Sequence, residues 1–80
     1  MTRKLYEIAA EVRKDWTKRH NSPAYSYLCA MAELDNLTDM YGCDTAASVV
    51  RYFLANASTW RGEVAKRVKA ELNAMLKEYG

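Results

Sequence analysis

The chain contains few of the residues that build metal and redox sites or interrupt helices. Its 80 residues include one histidine, two cysteines, one proline and three glycines. One histidine and two cysteines 14 positions apart are too few for a zinc site, and the absence of CxxC argues against a dithiol redox centre. Scarce proline and glycine favour regular secondary structure. We therefore expect no cofactor, no metal and two reduced thiols in a cytosolic protein.

Long apolar runs and convergent catalytic groups are also missing. No stretch approaches the roughly 18 apolar residues that a membrane span requires. The N-terminal segment is basic and amphipathic, without the apolar run of a signal peptide. Neither a nucleophile with a base and an orienting partner nor a glycine-rich phosphate loop is recognisable. We predict that the protein is not an enzyme and has no membrane partner.

Charge is unevenly distributed along a chain whose net charge is only +2. Residues 1–20 and residues 45–80 each carry a net charge of +3. Residues 21–44 carry four acidic side chains and neither lysine nor arginine. An acidic centre between two basic ends predicts polarised surfaces on the folded protein.

Apolar residues recur at helical spacing through the whole chain, and no alternating strand pattern interrupts them. Four helices are predicted, at about residues 3–19, 23–41, 45–57 and 59–80. This pattern indicates an all-α fold, a compact bundle of four helices with short loops that forms a single domain over residues 1–80.

Capping residues mark the predicted helix ends. Ser22 followed by proline is a good start for helix 2, and Gly42 suits the position just after its end. Asp44 or Thr45 is expected to cap helix 3, and Ser58 or Thr59 to cap helix 4. Gly62 then falls in the first turn of helix 4, which suggests a close approach of another backbone. We expect two tryptophans to close the ends of the core, Trp16 and Trp60.

The first half of helix 2 is unusual because it is apolar on nearly every side. The segment NSPAYSYLCAMAEL has no charged side chain before Glu33. One interpretation is that this helix is central and the other three surround it. The other is that Tyr25, Leu28 and Cys29 face a partner chain, since tyrosine offers a large contact area with few rotatable bonds. Tyr52, which points away from the apolar stripe of helix 3, is a further candidate contact.

Residues 54–72 suggest nucleic-acid binding as an alternative function. A helix, a short turn and a second helix in this segment could form a nucleic-acid-binding hairpin. The candidate contacts are Arg61, Lys66 and Lys69, with Arg3 and Lys4 from the N-terminal segment. Two features oppose this interpretation. The glycine lies inside the second helix rather than in the turn, and helix 4 carries three glutamates that would repel phosphate.

Two segments that cover most of the chain resemble a family of short bacteriophage-encoded proteins of uncharacterised function. They are RKLYEIAAEVRKDW and YLCAMAELDNLTDMYGCDTAASVVRYFLANASTWRGEVAKRVKAEL. The resemblance implies a small protein made in the cytoplasm of a bacterial host, where such proteins often act by binding one host protein. It implies no catalytic residues. Our leading hypothesis is a non-enzymatic interaction module that binds a host protein or itself, as in a homodimer.

Overall fold

The computed structural model describes residues 3–17 and 22–79, which form four helices and one short hairpin. The helices are α1 (Leu5–Asp15), α2 (Tyr25–Met31), α3 (Ala46–Asn56) and α4 (Glu63–Tyr79), and the antiparallel strands are β1 (Met40–Tyr41) and β2 (Asp44–Thr45). The mostly helical class is confirmed, but the hairpin means that the fold is not purely all-α. The last predicted residues of helix 1, 18 and 19, lie outside the described residues. No helix in the described ranges is long and apolar enough to cross a membrane.

The prediction that helix 2 continues to Tyr41 is wrong, because α2 ends at Met31. Downstream, the Asp39 carboxylate accepts hydrogen bonds from the backbone N–H groups of Asp35 and Asn36, each at 3.0 Å. Such local bonds compete with helical ones and favour turns. Gly42 accordingly lies in the two-residue turn between β1 and β2, with φ of +62°, and not at a helix end.

Residues 34–39, which we call the capping loop, supply backbone acceptors to two helices. The bonds run from Leu5 N–H to the Asp35 carbonyl, from Tyr6 N–H to Leu34, from Ala46 N–H to Asp39 and from Ala47 N–H to Leu37, at 2.8–3.3 Å. The first N–H groups of a helix have no acceptor within the helix. One loop therefore satisfies donors at the N-terminal ends of both α1 and α3.

Side chains and glycine determine the remaining helix starts. Thr45 caps α3 as predicted, since its hydroxyl accepts the Ser48 N–H at 3.2 Å. The Ser22 hydroxyl accepts the Ala24 N–H at 3.1 Å just before α2. Helix α4 begins at Glu63, later than predicted, and Gly62 precedes it with φ of +116°. A Cβ at Gly62 would meet no atom within 4 Å, so the expected close backbone approach is wrong, and the backbone angle accounts for the glycine.

Both tryptophans are buried in the core, but they lie together and do not close its two ends as predicted. Trp16 and Trp60 stack with their ring centroids 5.7 Å apart, and Phe53 packs against both rings edge-on. The Trp60 indole N–H donates to the Asp15 carboxylate at 2.8 Å, which satisfies the polar atom of this buried ring. The rest of the core consists of aliphatic side chains from all four helices and the capping loop.

Candidate interaction surface

Helix α2 packs into the molecule on the side formed by Leu28, Ala30 and Met31, whose side chains are all buried. The structure therefore corrects the prediction for Leu28, which is fully buried and cannot contact a partner while the protein is folded. Tyr25 and Cys29 are half-buried on the outer side of the helix. Burial against α1 and α3 thus explains the absence of charge at three of the seven residues of α2, and the interpretation that all three other helices surround it is not supported.

An exposed surface without charge remains where α2 lies beside α3. We define the α2–α3 face by five residues: Ser26, Tyr27, Ser48, Tyr52 and Asn56. The Tyr27 and Tyr52 rings stack with centroids 5.5 Å apart and planes at 25°. The Tyr52 side chain is 54% exposed, whereas Tyr27 is half-buried. The two rings form one continuous aromatic surface that joins α2 to α3.

Helical spacing explains why these groups lie together. Positions 45, 48, 52 and 56 follow one flank of α3, beside the buried stripe that contains Val49 and Phe53. Local bonds hold the polar groups in place: the Thr45 hydroxyl donates to Ser48 Oγ at 3.1 Å, and the Asn56 amide donates to the Tyr52 carbonyl at 2.8 Å. Beyond the end of α3, the Ser22 hydroxyl donates to the Asn56 carbonyl at 3.1 Å and holds the start of α2 against this flank.

The composition of the α2–α3 face is typical of protein-binding surfaces. Interface centres are depleted of charged residues and enriched in aromatic ones. Tyrosine, serine and asparagine combine rigid contact area with adaptable hydrogen bonding. None of its five residues is charged, although 28% of the chain is, and the exposed Arg51 lies at its border on α3. The five residues can therefore be covered by another protein without the cost of removing a charge from water.

Tyr52 is a predicted contact and is exposed in the structure, whereas Tyr27 is not among the predicted contacts. On a helical wheel extended to Tyr41, Tyr27 falls on the same side as Ala30 and Met31, a position that favours burial. The informative signal was the combination of two patterns: no charge in residues 22–32, and Ser48, Tyr52 and Asn56 on one flank of helix 3. Each pattern gives one uncharged helix surface, and the fold brings the two surfaces side by side.

The predicted nucleic-acid contacts do not lie together in the structure. Arg61 and Lys66 are exposed, and Lys69 is half-buried with its ammonium on two backbone carbonyls. Arg3 lies elsewhere, where its guanidinium donates to the Glu71 carboxylate at 2.6 and 3.0 Å. Lys4 is exposed at the start of α1. These five residues therefore do not form one binding site.

Comparison with protein-family models, curated proteins and solved structures finds no match to this chain. The resemblance to bacteriophage proteins therefore stays a prediction. Assignment of a function depends on the geometry and charge of the protein's surfaces.

Proposed function

We propose that the protein is a non-enzymatic interaction module and that its α2–α3 face binds another protein. The observation that carries this proposal is the exposed Tyr52 ring stacked on the half-buried Tyr27, on a face formed by uncharged side chains. Aromatic side chains dominate the energy of protein interfaces when a partner covers them.

The contacts within the face lower the cost of binding. An interface loses free energy when mobile side chains become ordered. The Tyr52 ring already rests on Tyr27, and Asn56 and Ser48 are already held by intramolecular bonds. A partner would meet a surface whose main groups occupy defined positions before contact.

The phage resemblance and the face together suggest the kind of partner. We propose a host protein in the bacterial cytoplasm, with a second copy of this chain as the other candidate. An uncharged face suits both partners, because it can meet its own copy without repulsion between like charges. The partner's surface should offer apolar groups for the two rings and hydrogen-bonding groups for Ser26 and Ser48.

The proposal is tested by comparing Tyr52→Ala with Tyr6→Ala. Tyr6 is the matched control because its side chain is 47% exposed, close to the 54% of Tyr52, but it lies on α1 away from the face. Tagged protein is used to capture partners from bacterial lysate treated with nuclease. Sedimentation equilibrium of the purified protein measures self-association in parallel.

We expect Tyr52→Ala to weaken the association about 30-fold, the equivalent of roughly 2 kcal/mol for a central aromatic contact, and Tyr6→Ala to leave it unchanged. Circular dichroism should show both variants folded. Equal binding by the wild type and Tyr52→Ala would contradict the proposal, as would an association that disappears when nucleic acid is digested.

A further inference from the structure

The three lysines of helix α4 lie on one flank of its exposed side, and Glu71 and Glu78 lie on the other flank. On a helical wheel, Lys66, Lys69 and Lys77 lie within about 80° of one another. Arg61 lies just before the helix, and we call these four residues the basic flank. The glutamates at positions 63, 71 and 78 lie at the middle of the exposed side and on its other flank. Charge segregation of this kind is invisible in the nearly balanced charge count of the helix.

Glu71 lies on the flank that faces α1, where arginines neutralise its carboxylate and that of Glu11. Arg3 bonds Glu71 at 2.6 Å and Glu11 at 2.8 Å, and Arg67 forms a further ion pair with Glu11. Glu78 lines a shallow cleft of about 270 Å³ beside the capping loop. Glu71 and Glu78 are therefore separated from the lysines, whereas Glu63 is exposed between the two flanks, three residues before Lys66.

The positive charges of the basic flank are not neutralised by ion pairs in the part of the chain that the structure describes. Within the described ranges, no carboxylate forms an ion pair with Arg61, Lys66, Lys69 or Lys77. The Lys69 ammonium donates to the carbonyls of Ala57 and Trp60, at 2.8 and 2.6 Å, so its charge is fixed in position. Burial lowers the pKa of Lys69, and the positive charge of Arg61 lowers it further. Two cations are thus close enough to repel one another, and an added anion would relieve that repulsion.

We propose that the basic flank of α4 binds the phosphate backbone of duplex nucleic acid without sequence preference. Lys66 and Lys77 are eleven residues apart, about 16 Å along the helix axis. This distance matches the rise of about five nucleotides along one strand of a duplex. Lysine is well suited to phosphate as a point charge, and phosphate contacts carry no direct sequence information. The site is separate from the α2–α3 face and does not depend on the protein-binding proposal.

The test measures how the affinity for DNA depends on salt. Fluorescence anisotropy of a labelled 20-base-pair duplex is followed with the full chain between about 20 and 150 mM salt, because charge-driven affinity falls as salt is added. Lys69 is already occupied by two carbonyls, so Arg61, Lys66 and Lys77 are the free cations. Three phosphate contacts predict a slope of about −2.7 for log K against log salt.

The decisive variant carries both Lys66→Gln and Lys77→Gln. Its expected slope of log K against log salt is about −0.9, because two of the three phosphate contacts are lost. The control is Lys4→Gln with Lys14→Gln, which removes the same charge from exposed positions outside the flank and should keep most of the slope. Circular dichroism verifies that both variants are folded.

Two results would overturn the proposal. One is an equal loss of affinity in the two double variants, since only the net charge would then matter. The other is displacement of the duplex by polyglutamate as efficiently as by unlabelled DNA of the same total charge, which would assign the flank to acidic proteins. Weaker competition by polyglutamate, together with a loss confined to the flank variant, would support nucleic acid as the ligand.

Discussion

Replacing Leu28 by alanine separates a core role for this residue from an interface role. The side chain is fully buried between α2 and the rest of the core. Its truncation removes three carbon groups, each contributing about 0.8 kcal/mol of transfer free energy, and leaves a cavity. We expect the free energy of unfolding to fall by about 3 kcal/mol. An 80-residue domain has a total stability of roughly 4–12 kcal/mol, so this loss is a large share of it.

Urea denaturation followed by circular dichroism measures the effect directly. With a denaturant slope of about 1 kcal/mol per molar for a small protein, the midpoint should fall by about 3 M. The thermal midpoint should fall by about 12–24 °C. Tyr52→Ala is the comparison: it removes an exposed ring and its stacking on Tyr27, and should cost about 1 kcal/mol or less.

A loss below about 1 kcal/mol for Leu28→Ala, with an unchanged denaturant slope, would refute the assignment of Leu28 to the core. Weakened association by Leu28→Ala at full stability would further show that this side chain faces a partner. Either result would also remove the packing argument on which the position of the α2–α3 face depends.

Three further predictions concern local features of the fold. Thr45→Ala should lower the free energy of unfolding by about 1 kcal/mol because α3 loses its cap, and Thr45→Ser should restore most of it in the same urea assay. Gly62→Ala should cost about 1–2 kcal/mol through backbone strain at φ of +116°, whereas Ser58→Ala in the same turn should be nearly neutral by thermal denaturation. The guanidinium groups of Arg67 and Arg3 hold the Glu11 pKa below its ordinary value of 4.5, so this stabilisation is complete above pH 4.5 and is lost as the pH falls through the folded-state pKa. Unfolding midpoints measured from pH 6 to pH 3 should therefore decline less steeply in Glu11→Gln, and equal slopes would contradict the role of these ion pairs.

The helices were predictable where apolar spacing and a capping residue agreed. Helix α3 shows both, since its inward positions are apolar and Thr45 precedes them. The end of helix 2 was not predictable from spacing alone. Leu34 and Leu37 are buried, as a continuing helix would require, but they belong to the capping loop. Apolar periodicity reports which side chains are buried and not which backbone carries them.

The candidate surface was predictable only in part, for a related reason. Tyr52 could be identified from one helix, because it points away from that helix's own apolar stripe. Tyr27 required knowledge of how α2 and α3 are placed side by side. The segregation of lysine and glutamate on α4 was present in the helical wheel. The sequence alone does not show that Arg3 and Glu11 of the α1 side lie beside Glu71.

The capping loop makes the starts of α1 and α3 depend on one another. Helix ends usually fray, and their amide hydrogens then exchange with solvent in small local openings. Here the first amides of both helices bond to carbonyls of residues 34–39, so freeing either set disturbs the segment that holds the other. Hydrogen exchange at Leu5 and Ala46 should therefore follow a single cooperative opening. Although it is irregular in structure, this loop should tolerate inserted residues as poorly as a buried helix does.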